Sequence, residues 1–211
     1  MRFGFGMALC LLTASCVSNH TMMTRYHEDG RAKPVVAIAP IIDTTSFDVP
    51  WSLSEELTSM VVKQIIEGNL VFAEPQEDYA FAENPFGGDL SWVKREFPSH
   101  EFVVFSELVE HTTVPANKAK ENLSPQEISM NLNTAVRIRV IDLRTDTPQI
   151  VLQELVRNSY YLPKTLLPTN YQEVTWGSSD YRASPMGIAH AELVQDIGER
   201  VKTYILLAKS R

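Results

Sequence analysis

The run Val35-Val36-Ala37-Ile38-Ala39-Pro40 constrains the fold of this 211-residue chain more than any other feature. Its six residues carry no polar side chain, three are β-branched, and proline ends the run. Alternation of apolar and polar residues marks a strand with one wet face, whereas a continuous apolar run suits a strand buried on both. Such a strand needs a sheet covered on either side, which is the layering of an α/β domain.

The segments that follow supply the cover. Ser52-Leu53-Ser54-Glu55 is a capping box, and Leu53, Leu57, Met60, Val61 and Ile65 recur at helical spacing up to Gly68. Leu70 to Ala73 reads as a short strand, completing a strand, helix, strand unit. Asp89 to Phe97 reads as a short helix or helical turn, and Glu101 to Glu110 as a strand opening with Phe102-Val103-Val104-Phe105. Asn133 to Leu143 alternates, with Val136, Ile138 and Val140 facing one way and Arg137 and Arg139 the other. Asp142 to Pro148 has turn chemistry, and Ile150 to Tyr160 returns as the partner strand. After an irregular stretch from Lys164 to Ala183, Ser184-Pro185 places a cap residue before proline at a helix start. Val194, Ile197, Val201, Tyr204, Ile205 and Ala208 form the stripe of that C-terminal helix. The expected fold is α/β (α+β): a mixed sheet of about four to five strands flanked by two to three helices, the last one long, in a single domain over residues 34–211.

Bulk composition narrows the function. With 44% hydrophobic and 21% charged residues the chain is globular. A formal charge of -7 argues against wrapping nucleic acid, which needs a surplus of Lys and Arg on some face. It argues equally against electrostatic attachment to anionic lipid.

The N-terminus offers another route to a membrane. Arg2 is a minimal positive region, Phe3 to Leu12 a short apolar one, and Thr13-Ala14-Ser15 are small residues before Cys16, so residues 1–15 read as a secretory signal. The apolar run is too short to span a bilayer. Removal of residues 1–15 leaves Cys16 as the last cysteine, so the mature chain forms no internal disulfide although it would sit in an oxidising compartment. Residues 16–33 then read as a polar tether, with a root-mean-square reach of roughly 20 to 25 Å for a flexible coil.

The stretch ending at Cys16 resembles the lipobox of bacterial lipoproteins, relaxed because Leu12 sits one place early and Thr13 holds the usual Leu position. The resemblance implies lipidation of Cys16; ordinary signal cleavage with an incidental cysteine is the alternative. One acyl chain binds membranes marginally, whereas the three of a lipoprotein would hold firmly. Val17 and Ser18, with no Asp after the cysteine, imply retention in the outer membrane, facing the periplasm. The order Val36 to Pro40, capped helix, short strand and later Val136-Arg137-Ile138-Arg139-Val140-Ile141-Asp142-Leu143 also resembles an envelope superfamily. It includes the N-terminal domain of the Tol-system propeller protein TolB, the lipoprotein activators of penicillin-binding proteins and the curli-secretion lipoproteins. The short tether departs from the activators, and the polar segment Thr112 to Asn131, with Lys118, Lys120, Glu121 and Pro125, departs from a membrane-barrel insertion.

Candidate chemistry is sparse. His20 and His27 fall in the tether, and His100, His111 and His190 share no metal-ligand spacing, so the histidines read as surface or capping residues and no metal or other cofactor is expected. Asp43, Asp48, Glu55 and Glu56 cluster after the first strand, where α/β folds bind ligands; for the Glu pair the dipole of a helix start is the simpler explanation. Arg137 and Arg139 suit either an acidic partner or a solvated sheet face. Tyr171, Trp176 and Tyr181, aromatics in an irregular segment, are either interface anchors or a cover for the core. The combined expectation is a membrane-anchored, non-enzymatic module that binds an envelope protein. A small hydrolase using the carboxylates after the first strand, or a homo-oligomeric secretion subunit, stands as the alternative.

Overall fold

The computed structural model describes residues 24–116, 129–163 and 169–211. Among these residues six strands and four helices follow in the order β1 (Val35–Ile38), β2 (Ile42–Asp43), α1 (Leu53–Glu67), β3 (Phe72–Pro75), α2 (Val93–Glu96), β4 (Phe102–Pro115), β5 (Met130–Asp142), β6 (Gln149–Leu162), α3 (Ser179–Ala183) and α4 (Pro185–Lys209). They form one mixed sheet of order β3-β1-β4-β5-β6, with β2 also paired to β4. β1 lies parallel to both β3 and β4, and Pro40 ends it before β2 takes up β4 further along, at Glu107 and Leu108.

The first strand is buried on both faces, as its composition requires. Val36 and Ile38 join Val104, Ile138 and Val140 on the face covered by Leu57, Val61 and Ile65 of α1 and Leu193, Ile197 and Val201 of α4. Ala37 and Ala39 point the other way, with Val103, Phe105 and Ile141, under Trp92, Val93 and Phe97 around α2. Burial at Val36 and Ala37 is complete. The caps sit where the sequence puts them: Ser52 Oγ accepts from Glu55 N–H at the start of α1, and Ser184 Oγ from Gly187 N–H at the start of α4.

Four details differ from the expectations. The hairpin strands are longer, because the ladder continues through polar pairs such as Thr112–Asn133 after a bulge between Leu108 and Glu110. Backbone bonding needs no apolar pattern, so alternation alone cannot mark where it stops. The short strand begins at Phe72 rather than Leu70, because Asn69 after the helix takes a left-handed φ of 50° and Leu70 is exposed. A five-residue helix, α3, lies inside the stretch read as irregular, started by Ser178 Oγ accepting from Tyr181 N–H.

The fourth concerns the tether, which was expected to run free to Lys33. Instead the chain is fastened to the domain from Thr24 onward. Tyr26 bridges Ala32 across a turn at Gly30, whose φ of 82° suits glycine. Arg25 pairs with Glu74 at 3.0 Å and lies over the Phe72 ring. Lys33 is 2% exposed and donates to Asn69 Oδ1 at 2.5 Å, so its ammonium sits at the C-terminal end of α1, where the helix dipole favours a cation. Cys16 and the signal segment lie outside the described residues, as do residues 117–128. No helix among the described residues is long and apolar enough to cross a membrane.

Candidate functional site

Glu56 lies in the first turn of α1 but turns inward rather than toward water. It has no exposed surface, in contrast to Glu55 beside it. Its Oε1 lies 2.7 Å from Nδ1 of His190, near the start of α4, and accepts from the Tyr181 hydroxyl of α3. Its Oε2 accepts from the Trp51 indole at 2.7 Å. On the far side of the His190 ring, Nε2 lies 2.7 Å from Nε2 of His111, which β4 carries in from the sheet. The Phe47 ring packs edge-on against His111, and Trp51 against Tyr181.

The electrostatics follow from burial and partners. Burial pushes the Glu56 carboxyl up, but bonds from His190, Tyr181 and Trp51 outweigh it and hold the carboxyl below the ordinary range. Burial, then the neighbouring His190, brings His111 down to about 3, so this ring is neutral at physiological pH. Burial and the Glu56 charge raise the Tyr181 phenol, which stays protonated and donates. The cluster is a closed clasp among four elements, built to hold them together.

What the clasp positions is the segment from Thr169 to Ser184. Tyr181 anchors its end, and Tyr171 packs edge-on against Trp51, with ring centroids 6.2 Å apart. Between them Trp176 rides half-buried over α1 with a groove on either side. One, of about 370 Å³, is lined by Met60, Lys63, Gln64, Arg182 and Val194; the other, of about 420 Å³, by Pro40, Thr58, Val62, Pro75 and Glu77.

The remaining candidates fall elsewhere. Tyr181 is 2% exposed and belongs to the core rather than to an exposed anchor. Arg137 and Arg139 both have partners within the chain. Arg139 is 5% exposed and donates to the carbonyls of Pro85, Phe86 and Gly87 at 2.7 to 3.1 Å, and to Gln153. Arg137 pairs with Glu107 and stacks over Phe86. The two arginines pin the 84–88 loop to the sheet. Asp43 and Asp48 are exposed, and Asp43 Oδ1 accepts from Thr45 N–H and Oγ1, which makes it a turn residue. His111 and His190 are not surface residues, because the tertiary fold supplies a carboxylate partner that linear spacing cannot show. Among the described residues no group of three or more His, Cys, Asp or Glu could hold a metal ion. The signal for the clasp was Glu56 at an N-terminal helix position together with a His one turn into α4 on its apolar stripe.

A family model described as a family of unknown function (DUF7499) matches residues 22–209. No curated protein matches the chain. Among solved structures, the hypothetical protein CT253 from Chlamydia trachomatis is similar at a TM-score of 0.67 and 23% identity, over 82% of this chain and 98% of that one. Protein XCC0632 from Xanthomonas campestris is similar at 0.53 and 6% identity, over 84% and 89%. These likenesses show a shared mixed α/β fold. Lipoprotein GNA1162 from Neisseria meningitidis aligns at a TM-score of 0.39 and 10% identity, over 79% and 99%, a similarity too slight to argue from.

Proposed function

The chain belongs to the DUF7499 family of unknown function, and we propose that it is a non-enzymatic accessory lipoprotein, held by lipid on Cys16 to the periplasmic face of a bacterial outer membrane. In this reading it binds another envelope protein through the Trp176 segment. The observation that carries the reading is Trp176 itself, a half-buried aromatic between two grooves on a segment that the Glu56–Tyr181–His190 clasp fixes in place. A large ring held rigid before its partner arrives loses little entropy on binding, which is the property of an interface anchor. The lipobox-like stretch at Cys16 supports the anchor, and the net charge of -7 makes lipid a better means of attachment than basic charge.

The hydrolase reading gains no support from the site. Asp43 and Asp48 are not brought together with a base, and Glu56 and His190 are sealed from solvent. The test is crosslinking in intact cells of the native envelope, comparing the full chain with Cys16→Ala and Trp176→Ala. The expected result is a discrete partner that is lost with Trp176→Ala, and a chain that leaves the membrane fraction with Cys16→Ala. Membrane recovery unchanged by Cys16→Ala overturns the anchor, and partner capture unchanged by Trp176→Ala overturns the binding surface.

A further inference from the structure

β6 is the terminal strand of the sheet and, among the described residues, pairs on one side only, with β5. At 14 residues it offers an edge of about 45 Å. Long edges are usually blunted by charge, proline or a covering element, because their free N–H and C=O groups template further pairing. This one has no proline before Pro163, and its only charges are Glu154 and Arg157.

Exposed apolar groups gather along it. Of the ten large hydrophobic residues with substantial exposure among the described residues, six lie on this edge or on the flank of α4 beside it: Ile150, Leu155 and Tyr161 on β6, and Ile188, Tyr204 and Leu207 on α4. All but Leu155 line two hollows at opposite ends of the strand, one with Ile150, Tyr204 and Leu207, the other with Tyr161, Leu162 and Ile188. Single exposed apolar residues need no explanation, but a row of them along an open edge does.

We propose that β6 is a self-association edge, on which a second copy of this chain adds its own β6 antiparallel to form one continuous sheet across a two-fold axis at Val156. The register follows from the side-chain pattern. Leu155, Arg157, Ser159 and Tyr161 share one face, opposite Arg137, Ala135, Asn133 and Asn131 of β5, and the bulge after Ile150 brings that residue, opposite Ile141, onto the same face. Antiparallel pairing about an axis normal to the sheet keeps each face continuous, so residues of one face meet residues of the same face. Centring on Val156 sets Ile150 against Tyr161 of the second copy, Gln153 against Ser159 and Leu155 against Arg157. On the other face Glu154 meets Asn158 and Leu152 meets Tyr160. No charge faces a like charge, the most exposed apolar residues meet each other, and the two-fold brings the hollow at one end against the hollow at the other. A strand from an unrelated protein would have to reproduce this pattern, whereas a second copy carries it already.

The experiment uses the full chain with Cys10 and Cys16 replaced by Ser, so that neither lipid nor native thiols contribute, and leaves Trp176 untouched. Sedimentation equilibrium is expected to show a dimer. Leu155→Lys, which places a cation against Arg157 of the second copy, and separately Ile150→Lys, are expected to weaken it roughly 100-fold with unchanged circular dichroism. Leu155→Cys with Arg157→Cys is expected to give a covalent dimer on mild oxidation, and Ile150→Cys with Leu155→Cys is not. A monomer at every concentration, a dimer indifferent to both lysine variants, or crosslinking in the second cysteine pair overturns the proposal. Its failure leaves partner binding at Trp176 standing, because that surface lies on α1 rather than on β6.

Discussion

Oε1 of Glu56 lies 2.7 Å from Nδ1 of His190, and neither residue has any exposed surface. The pair joins α1 to α4 across 134 residues of chain. Removing a buried acceptor leaves each of its donors unsatisfied, at a cost of about 1 to 3 kcal/mol apiece. Glu56→Ala leaves the Trp51 indole and the Tyr181 hydroxyl without their acceptor. Urea unfolding of Glu56→Ala is expected to show a loss of that order. Glu56→Gln retains an acceptor and is expected to lose about half as much.

The same cluster sets the acid response. His111 is held at about 3 against an ordinary value of 6.5, so the folded state binds fewer protons than the unfolded one between these values. Stability is therefore complete above pH 6.5 and falls as pH drops toward 3, by about 2 kcal/mol at pH 5 from this residue alone. Glu56, held below its ordinary value, adds stability that is complete above about pH 4.5 and is lost as pH falls further. Both slopes have the same sign. In denaturation series from pH 7.5 to 4.5, His111→Gln is expected to flatten the upper part of the decline; an unchanged slope would place the acid sensitivity elsewhere.

The contrast between these residues and the strand core explains what the sequence discloses. Val36 to Pro40, the Ser52 and Ser184 caps and the alternation around Val136 to Val140 are local patterns, in which each residue's neighbours in sequence are also its neighbours in the element. From them the α/β class, the mixed sheet and the long last helix are legible. The clasp is not, because Glu56 meets His190 and His111 only after the sheet has brought β4 beneath two helices. Arg139 reads as solvated by alternation, yet a loop that shares no pattern with it folds over the strand and takes its donors. The fastened segment from Thr24 to Lys33 has the composition of a tether, and its attachment rests on single contacts to Asn69 and Glu74 that no periodicity reveals.

Arg139 and Arg137, two residues apart on one face, are expected to behave differently. Arg139 satisfies three loop carbonyls and Gln153 from a buried position, and its planar fork makes bonds that a lysine cannot reproduce. Arg139→Lys is expected to cost about 2 kcal/mol and to speed hydrogen exchange at residues 84–88. Arg137 is nearly half exposed at its side chain, so its pairing with Glu107 is screened. Arg137→Ala is expected to cost under about 1 kcal/mol. Equal losses for the two would show that the loop is not held by the Arg139 fork.

Two glycines in α4 separate backbone clash from side-chain clash. A Cβ at Gly187 would overlap the carbonyl oxygen of Tyr181 and lie 2.9 Å from its carbonyl carbon, so α3 itself would have to move. A Cβ at Gly198 would meet the Cγ of Gln64 at 2.6 Å, the middle of a flexible side chain on α1. Both are helical positions where alanine is intrinsically favoured by about 1 kcal/mol. At Gly198 that gain offsets most of the strain once Gln64 changes rotamer, and Gly198→Ala is expected to shift stability by less than about 1 kcal/mol. At Gly187 no side-chain motion relieves the overlap, and displacing α3 pulls Tyr181 away from Glu56. Gly187→Ala is expected to cost about 3 kcal/mol. Because Tyr181 also ends the segment that carries Trp176, the same variant is expected to expose the Trp176 indole, read as a red shift of its fluorescence in a background where Trp51 and Trp92 are replaced by Phe. A destabilised Gly187→Ala protein with an unshifted Trp176 would show that the segment holds its position without the Tyr181 anchor.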